Sequence, residues 1–392
     1  MKIIVDNKIP FIKGVLEPFA EVVYLPGKET TPELVRDADA LITRTRTICN
    51  EKLLRGSSVK VIATATIGFD HIDTEWCEAN GIWWTNAPGC NSWSVKQYIS
   101  SVLVSLAARH GLDLSETTIG VVGVGNVGSK VAAAAGALGM KVLLNDPPRA
   151  RANNYPVIPG VGKEAFTDLD AIVREADIIT LHVPLEKAGE DPTWHLFDAA
   201  RMAAMRRNQI LINSSRGPVV DNAALKQTLK AGGLKGAVLD VWEGEPELDP
   251  ELVSLLDYST PHIAGYSSDG KANGTMMSVR AVAGKLGLPL TDWCPTDIPA
   301  PTHGLHKGIE AQAFSIDAEG KTRQEVLSEA VFYAYDVAVD SEALRSDLSA
   351  FESLRGDYPI RREPSAFTVQ LKNGTPELAE ALRQLDFKVN NQ

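Results

Sequence analysis

Short apolar runs recur along the first ninety residues, and helix-like segments lie between them. The runs are rich in Val and Ile, which is typical of strands buried on both faces of a parallel sheet. The segments between them carry helix-start signals, such as Thr31 followed by Pro32 at the first helical position. The predicted strands are residues 2–6, 21–26, 39–44, 59–66 and 81–88. This alternation predicts an α/β domain over residues 1–95.

A helical run over residues 94–111 separates this block from a second one of the same kind. Its apolar runs again alternate with helix-like segments, which predicts a second parallel sheet covered on both faces. The predicted strands are residues 118–123, 141–146, 176–185, 209–215, 234–242 and 258–265.

A glycine-rich turn joins the first two strands of the second block. Gly123, Gly125 and Gly128 form a GxGxxG pattern that follows a strand and opens an alanine-rich helix. Gly123 permits the tight turn, Gly125 leaves room for a pyrophosphate, and Gly128 allows close packing of helix on strand. The helix N-terminus adds amide donors for phosphate. This context predicts a dinucleotide site.

An acidic residue at the end of the next strand favours NAD over NADP. Asp146 lies 23 residues after Gly123, close to the spacing expected for the residue that binds the adenosine ribose. Its charge would repel a 2′-phosphate. Arg149 and Arg151 follow directly and keep NADP open as an alternative.

Polar residues follow several of the predicted strands. Because ligands bind outside the carboxyl ends of strands in open α/β sheets, we expect His182, Ser215, Arg216, Asp240 and Glu245 to share one rim. His182 fits a structural role as well as a catalytic one.

Three of the polar residues suit oxidation of a 2-hydroxy acid. His262 is a natural base, Glu245 can orient its ring, and Arg216 can bind a carboxylate bidentately and polarise a developing carbonyl. Taken singly, His262 fits a core histidine and Arg216 an interface ion pair. Glu243 and Glu247 are rivals of Glu245 in the same acidic loop.

Composition excludes several classes of protein. The 392 residues carry a formal charge of −11 and have no block of Lys and Arg, which argues against nucleic acid and membrane partners. No apolar run approaches the length that spans a bilayer. The four cysteines form no CxxC pair, so we expect reduced thiols, no metal site and a cytoplasmic protein.

The chain from residue 286 has a different character. A Pro-rich stretch precedes a helix predicted from Thr322, and a smaller α/β pattern with strands at 366–371 and 387–390 follows. A cluster of Arg355, Arg361 and Arg362 lies between these elements. One hypothesis is that this cluster reaches the active site of a partner subunit and helps to bind phosphate.

Five motifs carry a resemblance to the D-isomer-specific 2-hydroxyacid dehydrogenases. They are GVGNVG, HVPL, INSSRGPVVDNAAL, LDVWEGEP and PHIAGYS. The resemblance covers essentially the whole chain. It implies two doubly wound Rossmann-like domains with an active-site cleft, plus a small C-terminal α/β domain that forms a homodimer. The implied substrate-binding domain covers residues 1–95 and is completed by about 265–285. Residues 96–264 would bind NAD, and residues 286–392 would form the dimer. The alternative for the last domain is a regulatory domain that binds a ligand.

The resemblance also implies roles for individual residues. The catalytic residues are Arg216, Glu245 and His262. Cofactor contacts come from Gly123, Gly125, Asn126, Val127, Gly128, Asp146, Thr180, Asp240 and Gly265. Substrate contacts come from Thr45, Thr66 and Tyr266. Arg44 is added as a cation for phosphate from its place after a strand, and Arg46 is a further hypothesis.

Within the family, the chain most resembles the branch that uses NAD to oxidise a phosphorylated four-carbon 2-hydroxy acid in vitamin B6 synthesis. The alternatives are a dehydrogenase for another acid, such as 3-phosphoglycerate, and a protein that senses NAD without turnover. The intact set of Arg216, Glu245 and His262 argues against the sensor.

Overall fold

The structure is a computed structural model that describes residues 1–391. Its strands are β1 (Lys2–Asp6), β2 (Glu21–Leu25), β3 (Ala40–Thr43), β4 (Val61–Thr64), β5 (Trp83–Thr85), β6 (Thr118–Val122), β7 (Lys141–Asn145), β8 (Ile178–Leu181), β9 (Ile210–Asn213), β10 (Gly236–Leu239), β11 (Tyr258–Ser259), β12 (Ala313–Asp317), β13 (Thr368–Lys372) and β14 (Lys388–Asn391).

The α-helices alternate with these strands. They are α1 (Pro32–Val35), α2 (Glu51–Leu54), α3 (Thr74–Ala79), α4 (Ser92–His110), α5 (Gly128–Ala137), α6 (Pro147–Ala152), α7 (Leu169–Glu175), α8 (Ala199–Ala204), α9 (Asn222–Lys230), α10 (Pro250–Leu255), α11 (Ser268–Leu286), α12 (Arg323–Ala334), α13 (Val337–Ser346), α14 (Phe351–Gly356) and α15 (Pro376–Gln384).

The first compact unit combines Met1–Asn91 with Ser267–Pro299. Its five strands are all parallel, in the order β2-β1-β3-β4-β5. Successive side chains of β1 point to opposite faces: Ile3 packs in one cluster with Val279 of α11, and Ile4 in another with Leu53 of α2. Both faces of this sheet are therefore buried.

The second compact unit begins at Ser92, runs to Tyr266 and resumes at Ala300. Its main sheet has six parallel strands in the order β11-β10-β9-β8-β6-β7. Val121 of β6 faces α4 and α5, while Val122 faces a second cluster on the other side. This is the doubly wound parallel arrangement predicted from the sequence.

The C-terminal part of the second unit has its own sheet of three parallel strands, in the order β12-β13-β14. Leu327 of α12 and Val369 of β13 belong to the same apolar cluster as Val131 of α5. This part therefore shares a core with the dinucleotide-binding fold. The three-domain division, with 286–392 as a dimerisation domain, stays a prediction.

Several elements of the second unit were not predicted. Strand β12 and helix α14 lie in the C-terminal part, and α6 begins directly after Asp146, which caps it through a hydrogen bond from the Arg149 amide. The stretch over 321–347, predicted as one helix, contains two, α12 and α13. The predicted helix near Thr322 is confirmed as α12, with a capping box between Thr322 and Glu325. Within residues 1–391, no helix is long and apolar enough to cross a bilayer.

Candidate active site

The glycine turn between β6 and α5 has the backbone that its sequence predicts. Gly123 has φ of +86°, a conformation that side chains disfavour. A Cβ on Gly128 would lie 1.9 Å from the Gly123 carbonyl oxygen, so the helix can approach the strand only without one. A Cβ on Gly125 would meet nothing within 4 Å. That open space lies where a pyrophosphate would pass.

The other two loop residues lie at the mouth of the same turn. Asn126 is exposed, and its carbonyl oxygen accepts a hydrogen bond of 3.1 Å from Lys130 Nζ. Val127 precedes the first residue of α5. Helix α5 therefore begins next to the glycine turn, which places the positive end of its dipole there.

Asp146 follows β7 and ties the turn to the neighbouring strand. Its Oδ2 accepts a hydrogen bond of 2.8 Å from the Val124 amide. Arg149 and Arg151, the two arginines that could have favoured NADP, form ion pairs with carboxylates of this chain. Arg149 Nε lies 3.6 Å from Asp146 Oδ2, and Arg151 pairs with Asp191 and Glu190. These ion pairs leave less positive charge for a 2′-phosphate.

A cavity of about 940 Å³ opens beside the glycine turn. This volume is in the range of cofactor and ligand pockets. Its walls include the glycine turn and the ends of β7 and β8, among them Gly123, Gly125, Asp146, His182 and Pro184. The cavity is therefore formed by the residues that the GxGxxG pattern and Asp146 singled out.

His182 lies in the wall of this cavity and is held neutral. Burial lowers its pKa to about 3. Its Nε2 lies 3.0 Å from the hydroxyl of Thr180, which is fully buried, while its Nδ1 is buried without a hydrogen-bond partner among residues 1–391. An orphaned polar atom in a cavity wall is a feature that a bound ligand can satisfy.

Arg216 stands in the loop after β9, and the backbone of that loop is fixed by its neighbours. Asn213 donates from Nδ2 to the Arg216 carbonyl oxygen at 2.9 Å, and Arg216 Nη1 donates to the Ser215 carbonyl oxygen at 2.9 Å. A Cβ on Gly217 would lie 1.9 Å from the Trp242 carbonyl oxygen. The loop that carries Arg216 thus packs directly on the loop after β10.

His262 and Glu245 form a hydrogen-bonded pair. His262 Nδ1 lies 2.9 Å from Glu245 Oε2. Burial opposes ionisation of Glu245, but hydrogen bonds from His262 and the Trp242 amide, together with the charges of His262 and Arg355, leave its pKa lowered. An ionised carboxylate only accepts hydrogen bonds, so Nδ1 carries the proton and Nε2 is left to act as a base.

Asp240 anchors the segment that contains His262. Its carboxylate is buried and accepts from the Thr260 hydroxyl at 2.6 Å and from the amides of Ile263 and Ala264 at 2.8 and 3.0 Å. His262 itself has φ of +57°, a strained conformation for a side-chain-bearing residue. The Asp240 bonds help to hold that strain. Its role as a cofactor contact stays a prediction.

Gly265 and Tyr266 complete the turn that follows His262. The Tyr266 amide donates to the Ile263 carbonyl oxygen at 2.9 Å, which closes the turn around Gly265. The Tyr266 hydroxyl accepts a hydrogen bond of 3.0 Å from Arg355 Nη2. Arg355 therefore meets a predicted substrate residue of its own chain.

Arg361 from the C-terminal part is also used within its own chain. It is fully buried, and its Nη2 donates to the carbonyl oxygens of Ile263 and Ala264 at 3.1 and 2.7 Å. This corrects the hypothesis that the arginine cluster as a whole reaches a partner subunit, because Arg361 is enclosed by its own chain.

The remaining predicted substrate residues belong to the first unit. Thr45 is exposed in the turn after β3, and Arg44 Nη1 contacts the Lys8 carbonyl oxygen at 3.4 Å. Thr66 follows β4; its hydroxyl lies 2.7 Å from that of Thr64 and donates to the Gly68 carbonyl oxygen at 2.9 Å. Their roles toward substrate stay predictions.

Similarity to known proteins identifies the family of this chain. The model of the D-isomer specific 2-hydroxyacid dehydrogenase, NAD binding domain, matches residues 93–264, and a model of a domain of unknown function matches residues 310–385. An erythronate-4-phosphate dehydrogenase of Bacteroides fragilis is 49% identical over 94% of this chain and 99% of its own length. One of Porphyromonas gingivalis is 40% identical over 99% of this chain and 100% of its own.

The chain belongs to the erythronate-4-phosphate dehydrogenase family. Among solved structures, the D-lactate dehydrogenase of Aquifex aeolicus, complexed with NAD and lactic acid, is similar with a TM-score of 0.59 and 26% identity. The match covers 73% of this chain and 96% of the lactate dehydrogenase. The predicted fold class and family are confirmed.

NAD is the cofactor of this erythronate-4-phosphate dehydrogenase family member, and the residues present fit it. Gly125 with its open space, Asp146 and His182 with its orphaned Nδ1 all line one cavity, and α5 begins at Gly128 directly after the glycine turn. The turn at Gly125 and the helix N-terminus would hold the pyrophosphate, Asp146 a ribose, and His182 a polar group of the dinucleotide.

A second histidine–glutamate pair in this family member was not predicted. His195 Nε2 lies 2.7 Å from Glu243 Oε1, and Glu243 Oε2 accepts from the Asn222 amide at 2.9 Å. The sequence left Glu243 as an alternative to Glu245 for the partner of His262, but in the structure Glu243 pairs with His195. The sequence offers only one signal for this pair, which is a histidine in the loop between two predicted strands. No sequence spacing links residues 195 and 243.

Proposed function

We propose that the protein uses NAD to oxidise 4-phospho-D-erythronate to (R)-3-hydroxy-2-oxo-4-phosphobutanoate, a step of vitamin B6 biosynthesis. The observation that carries the proposal is the Glu245–His262 hydrogen bond of 2.9 Å, located at the carboxyl edge of a sheet with an NAD-binding fold. The full-length similarity to erythronate-4-phosphate dehydrogenases supports the substrate.

His262 acts as the base. Its Nε2 takes the proton of the C2 hydroxyl while the C–H bond at C2 breaks. The ionised Glu245 stabilises the imidazolium that forms and keeps the ring oriented through Nδ1. Bound NAD supplies the hydride acceptor.

Arg216 binds the substrate carboxylate and stabilises the oxygen at C2 as it becomes a carbonyl. A guanidinium offers parallel N–H donors that match a carboxylate. Asn213 and the packing of Gly217 on Trp242 hold the Arg216 backbone, so the cation needs little reorganisation during the reaction. Thr45, Thr66, Tyr266 and Arg44 are proposed as further substrate contacts.

The test is formation of NADH, followed by absorbance, from 4-phospho-D-erythronate or 3-phospho-D-glycerate with NAD or NADP. Enzyme at high concentration and a parallel sample with a 2-oxo acid as re-oxidant reveal a single turnover even if NADH leaves slowly. We expect reduction of NAD with the four-carbon substrate. His262→Ala should reduce the rate by at least about 100-fold and leave NAD binding intact, whereas Arg216→Ala should raise KM and lower kcat together.

Other outcomes would change the proposal in defined ways. Reduction only with the three-carbon acid would keep the mechanism and overturn the substrate. Tight NAD binding without reduction of either acid would favour the NAD sensor. A near-normal rate in His262→Ala would overturn the role of the base.

We further propose that the protein forms a homodimer through its C-terminal region and acts in the cytoplasm. Leu305 and Ile309 are large apolar residues that are 89% and 76% exposed, which is typical of a contact surface. None of the four cysteines, all of which lie within residues 1–391, is in a disulfide, which fits a reducing compartment.

A further inference from the structure

An arginine of the C-terminal part contacts a residue of the proposed active site. Arg355, on α14, donates from Nη2 to the Tyr266 hydroxyl at 3.0 Å, and its guanidinium carbon lies 5.7 Å from the centroid of the Tyr266 ring. Its positive charge also contributes to the lowered pKa of Glu245. One guanidinium thus contacts Tyr266 and acts electrostatically on Glu245.

The hydrogen-bonding capacity of Arg355 is only partly used. Its carboxylate partner, Glu352, is half exposed and lies 3.5 Å from Nη1. Its Nε is buried and has no hydrogen-bond partner within residues 1–391. A guanidinium has five N–H donors, and a buried donor without an acceptor is unfavourable. The arrangement leaves donors for an anionic ligand.

The negative charge of the substrate phosphate requires a cation in the site. Glu245 must stay ionised to assist His262, and a dianionic phosphate bound near it would be repelled. The charge of Arg355, which acts on Glu245, offsets that repulsion, and its guanidinium offers paired donors to phosphate oxygens.

The comparison with the lactate enzyme points the same way. Almost all of the D-lactate dehydrogenase of Aquifex aeolicus aligns with 73% of this chain, so about a quarter of this chain has no counterpart there. The ligand named for that enzyme, lactic acid, carries one anionic group and no phosphate. Arg355 lies in the region matched by the separate model over residues 310–385, outside the NAD-binding model.

We propose that Arg355 binds the phosphate group of the substrate and thereby sets the preference for phosphorylated over unphosphorylated hydroxy acids. This inference rests on the proposed function. It assigns the two anionic ends of the substrate to two different arginines, with Arg216 at the carboxylate and Arg355, instead of the Arg44 expected from the sequence, at the phosphate.

The experiment compares kcat/KM for 4-phospho-D-erythronate and D-erythronate in the wild-type protein and in Arg355→Met. We expect the ratio of the two values to fall by about 10- to 100-fold in the variant, the range for one lost charge-assisted interaction. The loss should appear mainly as a higher KM for the phosphorylated substrate. Arg355→Lys should recover part of the ratio, because it keeps the charge but not the fork of donors.

A matched control is available in the same part of the chain. Arg383 pairs with Glu380 at 3.6 Å, three residues before it, as Arg355 pairs with Glu352. Arg383→Met should keep the wild-type ratio. Inhibition by inorganic phosphate provides a second readout, and it should weaken in Arg355→Met and stay unchanged in Arg383→Met.

Two results would overturn the inference. One is an unchanged ratio in Arg355→Met with both substrates slowed equally and with Tyr266→Phe showing the same loss, because Arg355 would then only orient Tyr266. The other is unchanged inhibition by inorganic phosphate in Arg355→Met, because a phosphate site would have lost its cation there. If the wild-type protein reduces no NAD with 4-phospho-D-erythronate, the proposed function itself fails, and that result is seen before any variant is made.

Discussion

At the scale of single residues, His182 shows how burial determines a protonation state. The half-buried ring lines the proposed NAD cavity, and burial lowers its pKa to about 3 from an ordinary value of 6.5. In the folded protein it stays neutral down to about pH 3, whereas in the unfolded chain it takes up a proton below about pH 6.5. Protonation therefore favours the unfolded chain. The stability present above pH 6.5 is lost as the pH falls toward 3.

This linkage predicts a change in the pH dependence of stability. Between pH 7 and pH 5, His182 should account for a loss of about 2 kcal/mol in the free energy of unfolding. His182→Gln removes the titrating group, so its urea-unfolding curves at these two pH values should differ less than those of the wild type by about that amount. Asn154→Gln, at an exposed side chain that does not titrate, is the control and should keep the wild-type slope. An unchanged slope in His182→Gln would contradict the prediction.

The residues of the proposed site could be predicted from the sequence better than their hydrogen-bond partners could. Asp146, Arg216 and His262 could be selected because each follows a strand of a fold that binds ligands at that edge. The contacts of Asp240 could not be predicted, since its acceptors are taken by amides more than twenty residues away. Such partners depend on how the turn after β11 folds back, which no local pattern specifies.

At the scale of elements, the β6–α5 turn contains two glycines with opposite physical requirements. Gly128 is needed for packing, because a Cβ there would lie 1.9 Å from the Gly123 carbonyl oxygen. Gly125 is surrounded by open space and has no such restriction from the protein itself. Its small size is therefore explained by the ligand and not by the fold.

The two glycines predict opposite results for the same substitution. Gly128→Ala should lower the free energy of unfolding by about 2 kcal/mol, because the helix must move away from the strand. Gly125→Ala should leave it unchanged or raise it slightly, because alanine restricts the unfolded chain, yet it should weaken NAD binding by at least about 10-fold. Thermal unfolding with and without NAD measures both effects. Wild-type NAD affinity in Gly125→Ala would show that the pyrophosphate does not pass there.

The elements that the sequence predicted least well are short or shaped by their neighbours. The predicted strand over 176–185 is only Ile178–Leu181 in the structure, because residues after Leu181 turn toward the cavity. Strand β12 was missed, since its sequence Ala-Phe-Ser-Ile-Asp is largely exposed and only Ile316 is buried. A long apolar run predicts a strand, and a single buried side chain does not.

At the scale of the whole molecule, the C-terminal region combines a shared core with an exposed apolar segment. Its helix α12 packs in the cluster of α5, while Leu305 and Ile309 remain open to solvent. The proposed dimer would cover these two side chains. Hydrophobic periodicity predicted the elements of this region, but it could not show that they share the core of the NAD-binding fold, because that core joins residues two hundred positions apart.

Sedimentation velocity tests the proposed dimer. The wild-type protein should sediment with twice the mass of one chain, and Leu305→Asp with Ile309→Asp should shift it toward the monomer. Val157→Asp is the matched control, because Val157 is 98% exposed and lies outside the C-terminal region. A dimer that survives the double substitution would place the interface elsewhere, and a monomeric wild type would overturn the proposal.

The discontinuous first unit has a consequence for how the protein emerges from the ribosome. Its sheet ends with β5 at Thr85, but one face is covered by Val279 and Val282 of α11, roughly 190 residues later in the chain. At about 5–20 residues per second, that interval corresponds to roughly 10–40 s of translation. Over this time the nascent strands lack part of their apolar cover, so we expect a chaperone to engage this face before residue 279 is made.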